Sequence, residues 1–191
     1  MSLSQRVISR LSYTSDLRVI LCAASLARHG QLGSVSRMGL RDVDLTSVPA
    51  EHLASLVSKV TGRVTITCVS DCVNILDTVK SEELDITDKC LGSEETWALV
   101  RAMESGVEYV LLSVEVTLDI RVLMEYSGQG KCKRVECYWD TAVRYREQLT
   151  TWTTSRNWAV TCDDDENFYM KRIEEDLEEF EPHYVPIQVD H

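Results

Sequence analysis

The chain has 191 residues, 44% hydrophobic and 27% charged, enough to bury one sizeable core, and its 8 Gly and 3 Pro argue against long disordered linkers. Its formal net charge is −11, but residues 163–191 hold eleven acids against Lys171 and Arg172, a net of −9, so the remainder carries only −2. No basic stripe offers itself to nucleic acid, no segment approaches the ~20 apolar residues of a membrane span, and seven irregularly spaced cysteines, an odd number, argue for reduced thiols rather than a disulfide framework.

These exclusions predict a chain of the cytoplasm, with the nucleus open. The stretch Leu17 to Ala27 carries Arg18 inside it and follows Asp16, which makes it a poor signal peptide. Residues 3–30 read as two helices instead. Leu3, Val7 and Leu11 share one helical face, and Ser15 or Asp16 can cap a second helix bearing Leu17, Ile20, Leu21 and Ala24 before Gly30.

From residue 35 the pattern changes to five short apolar stretches at nearly even steps. Aligning Met38, Val64, Leu84, Val110 and Val135 gives steps of 26, 20, 26 and 25 residues. An internal period of this length is the mark of a stacked array. In the first unit Met38 and Leu40 alternate as a strand requires, and Leu53, Leu56, Val57 and Val60 then fall on one helical stripe. Pro49 suits the first turn of that helix and Gly62 its left-handed end. The second unit, with Val64 and Ile66 followed by Val69, Ile75, Leu76 and Val79, leaves room for only about two helical turns.

The third unit has Leu84, Ile86 and Leu91, then Ser93 as a cap for a helix carrying Trp97, Val100 and Met103, closed by Gly106. In the fourth, Val107, Val110 and Leu112 precede a helix with Ile120, Leu123 and Met124, stopped by Gly128 and Gly130. The fifth has Val135 and Cys137, followed from Asp140 by Val143, Tyr145, Leu149 and Trp152. Two further strands are expected around Trp158 and Val160 and around Phe168, Met170 and Ile173. Beyond these the run EEDLEEFE is too acidic to pack by itself. The domain organisation expected is a helical N-terminal cap over 1–34, the array over 35–150, a C-terminal cap over 151–173 and an acidic tail over 174–191.

Val35, Met38, Leu40, Val43 and Leu45 occupy the apolar places of L-x-x-L-x-L-x-x-N/C-x-L. The pattern resembles the leucine-rich repeat family, in particular its ribonuclease-inhibitor-like class, as found in NOD-like immune receptors. It is a divergent and short version, with Val43, Val69 and Lys89 where the family has its loop asparagine or cysteine. Segments such as DVDLTSVPAEHLASLV and LGSEETWALVRAMES also resemble leucine-rich-repeat-like proteins of fishes, which implies no function. The resemblance implies an α/β solenoid with a parallel sheet on the concave side and helices on the convex side, binding another protein in innate immune signalling.

On such a sheet the residues between the apolar positions point away from the core. The alternation exposes Arg37, Gly39 and Arg41; Arg63, Thr65 and Thr67; Glu83, Asp85 and Thr87; Tyr109, Leu111 and Ser113; Arg134, Glu136 and Tyr138. Tyr and Arg are frequent interface anchors. The candidate partner-binding set is therefore Arg37, Arg41, Arg63, Asp85, Tyr109, Leu111, Arg134 and Tyr138. No catalytic, cofactor or metal residue is assigned. The pairs Cys68/Cys72 and Cys132/Cys137 lack zinc-site spacing, the four histidines are scattered, and buried apolar cysteines are the expectation. Trp97 and Trp152 are expected in the core. Two other readings stay open: regulation by the acidic tail, which would mask Arg37, Arg41 and Arg63 or recruit a basic protein, and an enzyme of unknown class.

Overall fold

The computed structural model describes residues 2–70, 72–87, 90–112, 116, 118, 122, 125–126, 130–137, 158–162 and 168–172. Two helices come first, α1 (Leu3–Leu11) and α2 (Leu17–Arg28). Ser2 and Asp16 cap them by accepting from the backbone N–H groups of Gln5 and Arg18, which supplies partners that helix starts lack. Five strands then alternate with helices: β1 (Val35–Arg41), α3 (Ala50–Val57), β2 (Val60–Thr67), α4 (Val73–Leu76), β3 (Glu83–Thr87), α5 (Ser93–Ser105), β4 (Tyr109–Leu112) and β5 (Arg134–Cys137). A hairpin of β6 (Trp158–Cys162) and β7 (Phe168–Arg172) ends the described part.

The seven strands form one sheet in the order β1-β2-β3-β4-β5-β7-β6. Strands β1 to β5 are all parallel and lie side by side in chain order, whereas β7 joins β5 antiparallel. Met38, Val64, Leu84, Val110 and Val135, the positions aligned from sequence spacing, are successive Cα partners across these five strands. All five side chains are buried. One core runs beneath them, joining Leu40, Ile66, Ile86 and Leu112 to the helix residues Leu53, Leu56, Ile75, Leu99 and Met103. The helices stack in the same order, α2 on α3, α3 on α4 and α4 on α5, so among the described residues they cover one face of the sheet and leave most of the other open.

The strand ends repeat a detail. Asp42 and Cys68, each directly after strand partners Arg41 and Thr67, both have left-handed backbone, with φ of 48° and 49°. Asp44 and Ser70 then bridge in parallel while Val43 and Val69 turn inward. The N-terminal segment closes the β1 edge. Thr14 donates to the Gly39 carbonyl and accepts from the Arg41 N–H, so it serves as a one-residue extra strand. Val7 and Leu11 of α1 are buried, but Leu3, expected on the same buried face, is 62% exposed.

Several local expectations are corrected. Gly62 does not end a helix: α3 stops at Val57, and Gly62 lies within β2, where the register slips between Val35 and Arg37. A Cβ at Gly62 would stand 2.5 Å from the Ser36 carbonyl oxygen, so a close strand approach, rather than a left-handed turn, calls for glycine there. Helix α4 has a single turn of four residues where two turns were expected. Helix α5 begins at Ser93, so Ser93 is inside the helix, and its start is closed by Glu95 accepting from the Gly92 N–H at 3.1 Å. Trp97 is 40% exposed, not core; α5 turns Thr96, Leu99, Val100 and Met103 inward, and the Thr96 hydroxyl donates to the Gly92 carbonyl at 2.9 Å. Among the cysteines Cys72 and Cys132 are buried, whereas Cys68 and Cys90 are exposed and Cys22 is half-buried, so burial does not account for them as a set. Residues Ile120, Leu123, Met124, Lys89, Gly128, Trp152, the helix expected from Asp140 and the tail from Ile173 lie outside the described residues.

Candidate functional site

The open face of the sheet is built from the side chains that alternate with the buried ones. Because the five strands are in register, these side chains form rows across the sheet rather than a scatter. One row runs Arg37, Arg63, Glu83, Tyr109 and Arg134; the next runs Gly39, Thr65, Asp85, Leu111 and Glu136. Adjacent members sit about 4.8 Å apart in the strand-pairing direction, so a row of five spans about 19 Å. A third short row contains Arg41, Thr67 and Thr87.

The middle of this face is a shallow depression of about 470 Å³ whose lining includes Arg63, Asp85, Tyr109, Leu111, Arg134 and Glu136. Five of the eight candidate residues therefore meet there: Arg63, Asp85, Tyr109, Leu111 and Arg134. Tyr109 is 37% exposed and Leu111 half-buried, and they form an apolar centre. Three ion pairs frame it. Arg63 Nη2 donates to Asp85 Oδ2 at 2.8 Å and approaches Glu83 at 3.7 Å, while Arg134 Nη2 donates to Glu136 Oε2 at 3.3 Å.

Asp85 was expected to be exposed, and it is not. It is buried, because Arg63 lies across it from the neighbouring strand and the Thr87 hydroxyl donates to its other oxygen at 3.3 Å. A carboxylate can leave water only with such partners. Gly39 is likewise buried rather than exposed, since the Ser12–Tyr13 turn passes over it; a Cβ there would stand 2.6 Å from the Ser12 carbonyl oxygen.

Arg37 and Arg41 lie outside the depression toward the β1 edge, and both are exposed. The Arg41 guanidinium sits 5.8 Å above the Tyr13 ring, donates to the Tyr13 hydroxyl and reaches Asp42 at 3.1 Å. The bond to Tyr13 raises its pKa further, so it remains a cation at any working pH. Tyr13, 59% exposed, is the member of this face that strand alternation missed, because it arrives from the segment between α1 and α2 instead of from a strand. The basic end is thus partly neutralised within the protein, through Asp42 at Arg41 and through Glu83 and Asp85 at Arg63. Tyr138 lies outside the described residues.

Chemically this face can receive side chains from a partner: an aromatic and an aliphatic group at the centre, donors and acceptors at the rim. Among the described residues that line the depression there is neither a histidine nor a cysteine. Among the described residues no three His, Cys, Asp or Glu side chains are grouped to hold a metal ion, and no helix is long and apolar enough to cross a membrane. No family model, curated protein or solved structure matches this chain.

Proposed function

We propose that this chain is a leucine-rich-repeat-like solenoid acting as a non-catalytic protein interaction module, which binds a protein partner through the open, concave side of its sheet. The observation that carries this reading is the two in-register rows across five parallel strands, which gather Tyr109, Leu111, Arg63 and Arg134 around one depression. Interfaces are anchored by such aromatic, aliphatic and arginine groups surrounded by a polar rim. The repeated left-handed residue after β1 and β2, and helices that stack in chain order, support coils laid one on the next. An adaptor or receptor fragment of the cytoplasm fits this surface, and innate immune signalling is the setting suggested by the sequence resemblance alone.

The test is a combined Arg37→Ala, Tyr109→Ala, Leu111→Ala and Arg134→Ala variant, compared with wild type in affinity capture from the source tissue. Loss of a specific partner by a variant that still unfolds cooperatively supports the proposal. Capture of the same partner by that folded variant removes the sheet face from consideration.

A further inference from the structure

A second surface lies at the opposite end from β7 and β6, on the N-terminal helices. Between α1 and α2 there is a depression of about 490 Å³ lined by Val7, Val19 and Cys22, with Leu3 at its mouth and Arg6, Arg10, Arg18 and Asp16 around it. The end cap of a stacked array ordinarily presents a polar outer surface. Here Leu3 is 62% exposed at the mouth of an apolar hollow. The rim is cationic. Asp16 pairs with Arg10 at 3.4 Å and with Arg18 at 3.1 Å, so one carboxylate serves two guanidinium groups, and residues 1–34 contain four arginines against this single acid.

The chain carries a segment of the complementary chemistry. Residues 174–181, EEDLEEFE, place Leu177 and Phe180 three apart among six acids. In a helical turn that spacing would put both on one side, with carboxylates around them. Apolar groups for an apolar floor and carboxylates for an arginine rim make a matched pair.

Reach decides which copy supplies the segment. Leu177 and Phe180 follow Arg172, the end of β7, by five and eight residues, and so extend at most about 17 and 27 Å from it. From β7 to β1 the sheet order imposes five strand steps, about 24 Å, and the helix layer adds about 10 Å. At right angles these make about 26 Å, well beyond Leu177 and at the limit of Phe180, so the two together cannot fill the depression on their own chain. We propose that residues 174–181 of one copy dock between α1 and α2 of a second copy, giving a head-to-tail association. Such a contact joins unlike surfaces and leaves a free segment at one end and a free depression at the other, so it extends into open chains as concentration rises.

The experiment is sedimentation velocity over a wide concentration range on wild type, on a form lacking residues 174–191, and on Arg6→Glu/Arg10→Glu. Wild type is expected to grow in average mass with concentration, about tenfold less strongly at high salt. Each altered form alone is expected to stay monomeric. An equimolar mixture of the two restores one intact depression and one intact segment, so it should form a pair and nothing larger. A synthetic peptide of residues 173–191 should block wild-type association, which tests the site without any substitution. Growth of the tail-less form like wild type, a mixture that stays monomeric, or wild type that is monomeric throughout overturns the proposal. In that last case binding of wild type to phosphatidylserine vesicles, lost in Arg6→Glu/Arg10→Glu, would assign the basic rim to lipid instead.

Discussion

Arg63 on β2 reaches across to Asp85 on β3 and holds a carboxylate whose side chain is only 12% exposed, while its own side chain keeps 39% of its surface open. The pair sits between an exposed surface bridge, worth under about 1 kcal/mol, and a buried one, where removing a partner costs about 3–5 kcal/mol. Replacing either residue by alanine should therefore cost about 1–3 kcal/mol in urea unfolding, and the double variant should lose less than the two costs added, with a coupling of about 1 kcal/mol. Strict additivity would mean that the two groups act separately.

Cys68 occupies the left-handed position that Asp42 occupies one unit earlier. Asp and Asn tolerate that backbone better than other non-glycine residues, for which it costs about 1–2 kcal/mol. Cys68→Asn should raise stability by about 0.5–1 kcal/mol, whereas Cys68→Val, branched at Cβ, should lower it. The midpoints of urea unfolding for the two variants should move in opposite directions.

Gly39 is where the N-terminal cap presses on the sheet, with the Ser12 carbonyl occupying the place of a Cβ. Gly39→Ala should cost about 1–3 kcal/mol through backbone displacement. Amide exchange locates the effect: the Thr14 and Arg41 N–H groups, which hold the cap to β1, should lose protection. The Ile66 N–H in β2 should keep it. Uniform loss along the sheet would show that the N-terminal segment and the sheet open together.

Acid should release a helix cap and a turn. The Arg18 side chain, together with the Arg18 backbone N–H, holds the Asp16 carboxyl below the ordinary aspartate range, and the Thr46 backbone N–H and hydroxyl do the same for Asp44. With folded values lowered, the unfolded chain binds these protons more readily. The stabilisation is complete above the ordinary aspartate value of about pH 4 and is lost as pH falls through the lower folded values. Melting temperatures of wild type and Asp16→Asn should differ at neutral pH and converge as the medium is acidified below this range; a gap that widens in acid would reverse the sign of the argument.

The five-strand ladder could be read from the chain because two periods coexist in it, alternation at Met38/Leu40, Val64/Ile66, Leu84/Ile86 and Val110/Leu112, and helical stripes between. The open-face rows followed from the same alternation, since neighbours of buried strand residues must point the other way. What alternation does not carry is the chemistry between rows. It exposes Asp85 by position, but Arg63 from the next strand covers it. The α5 stripe was assigned through Trp97 because tryptophan is apolar and threonine is not. In the fold Thr96 goes inward with its hydroxyl satisfied by the Gly92 carbonyl, and the tryptophan rides outside. Gly62 and Gly39 answer to backbones that arrive from elsewhere in the chain, Ser36 and Ser12, and local pattern holds no trace of such approaches.

Trp97, 40% exposed in the helix layer, is the natural rival anchor to Tyr109 and Leu111 on the open face, and comparing the two tests the central proposal most directly. The measurement is the dissociation constant of the captured partner for wild type, Tyr109→Ala/Leu111→Ala and Trp97→Ala. Recognition through the sheet predicts a weakening of about tenfold or more for the double variant and little change for Trp97→Ala. Unchanged affinity for the double variant, with loss at Trp97, would place recognition on the helices and contradict it.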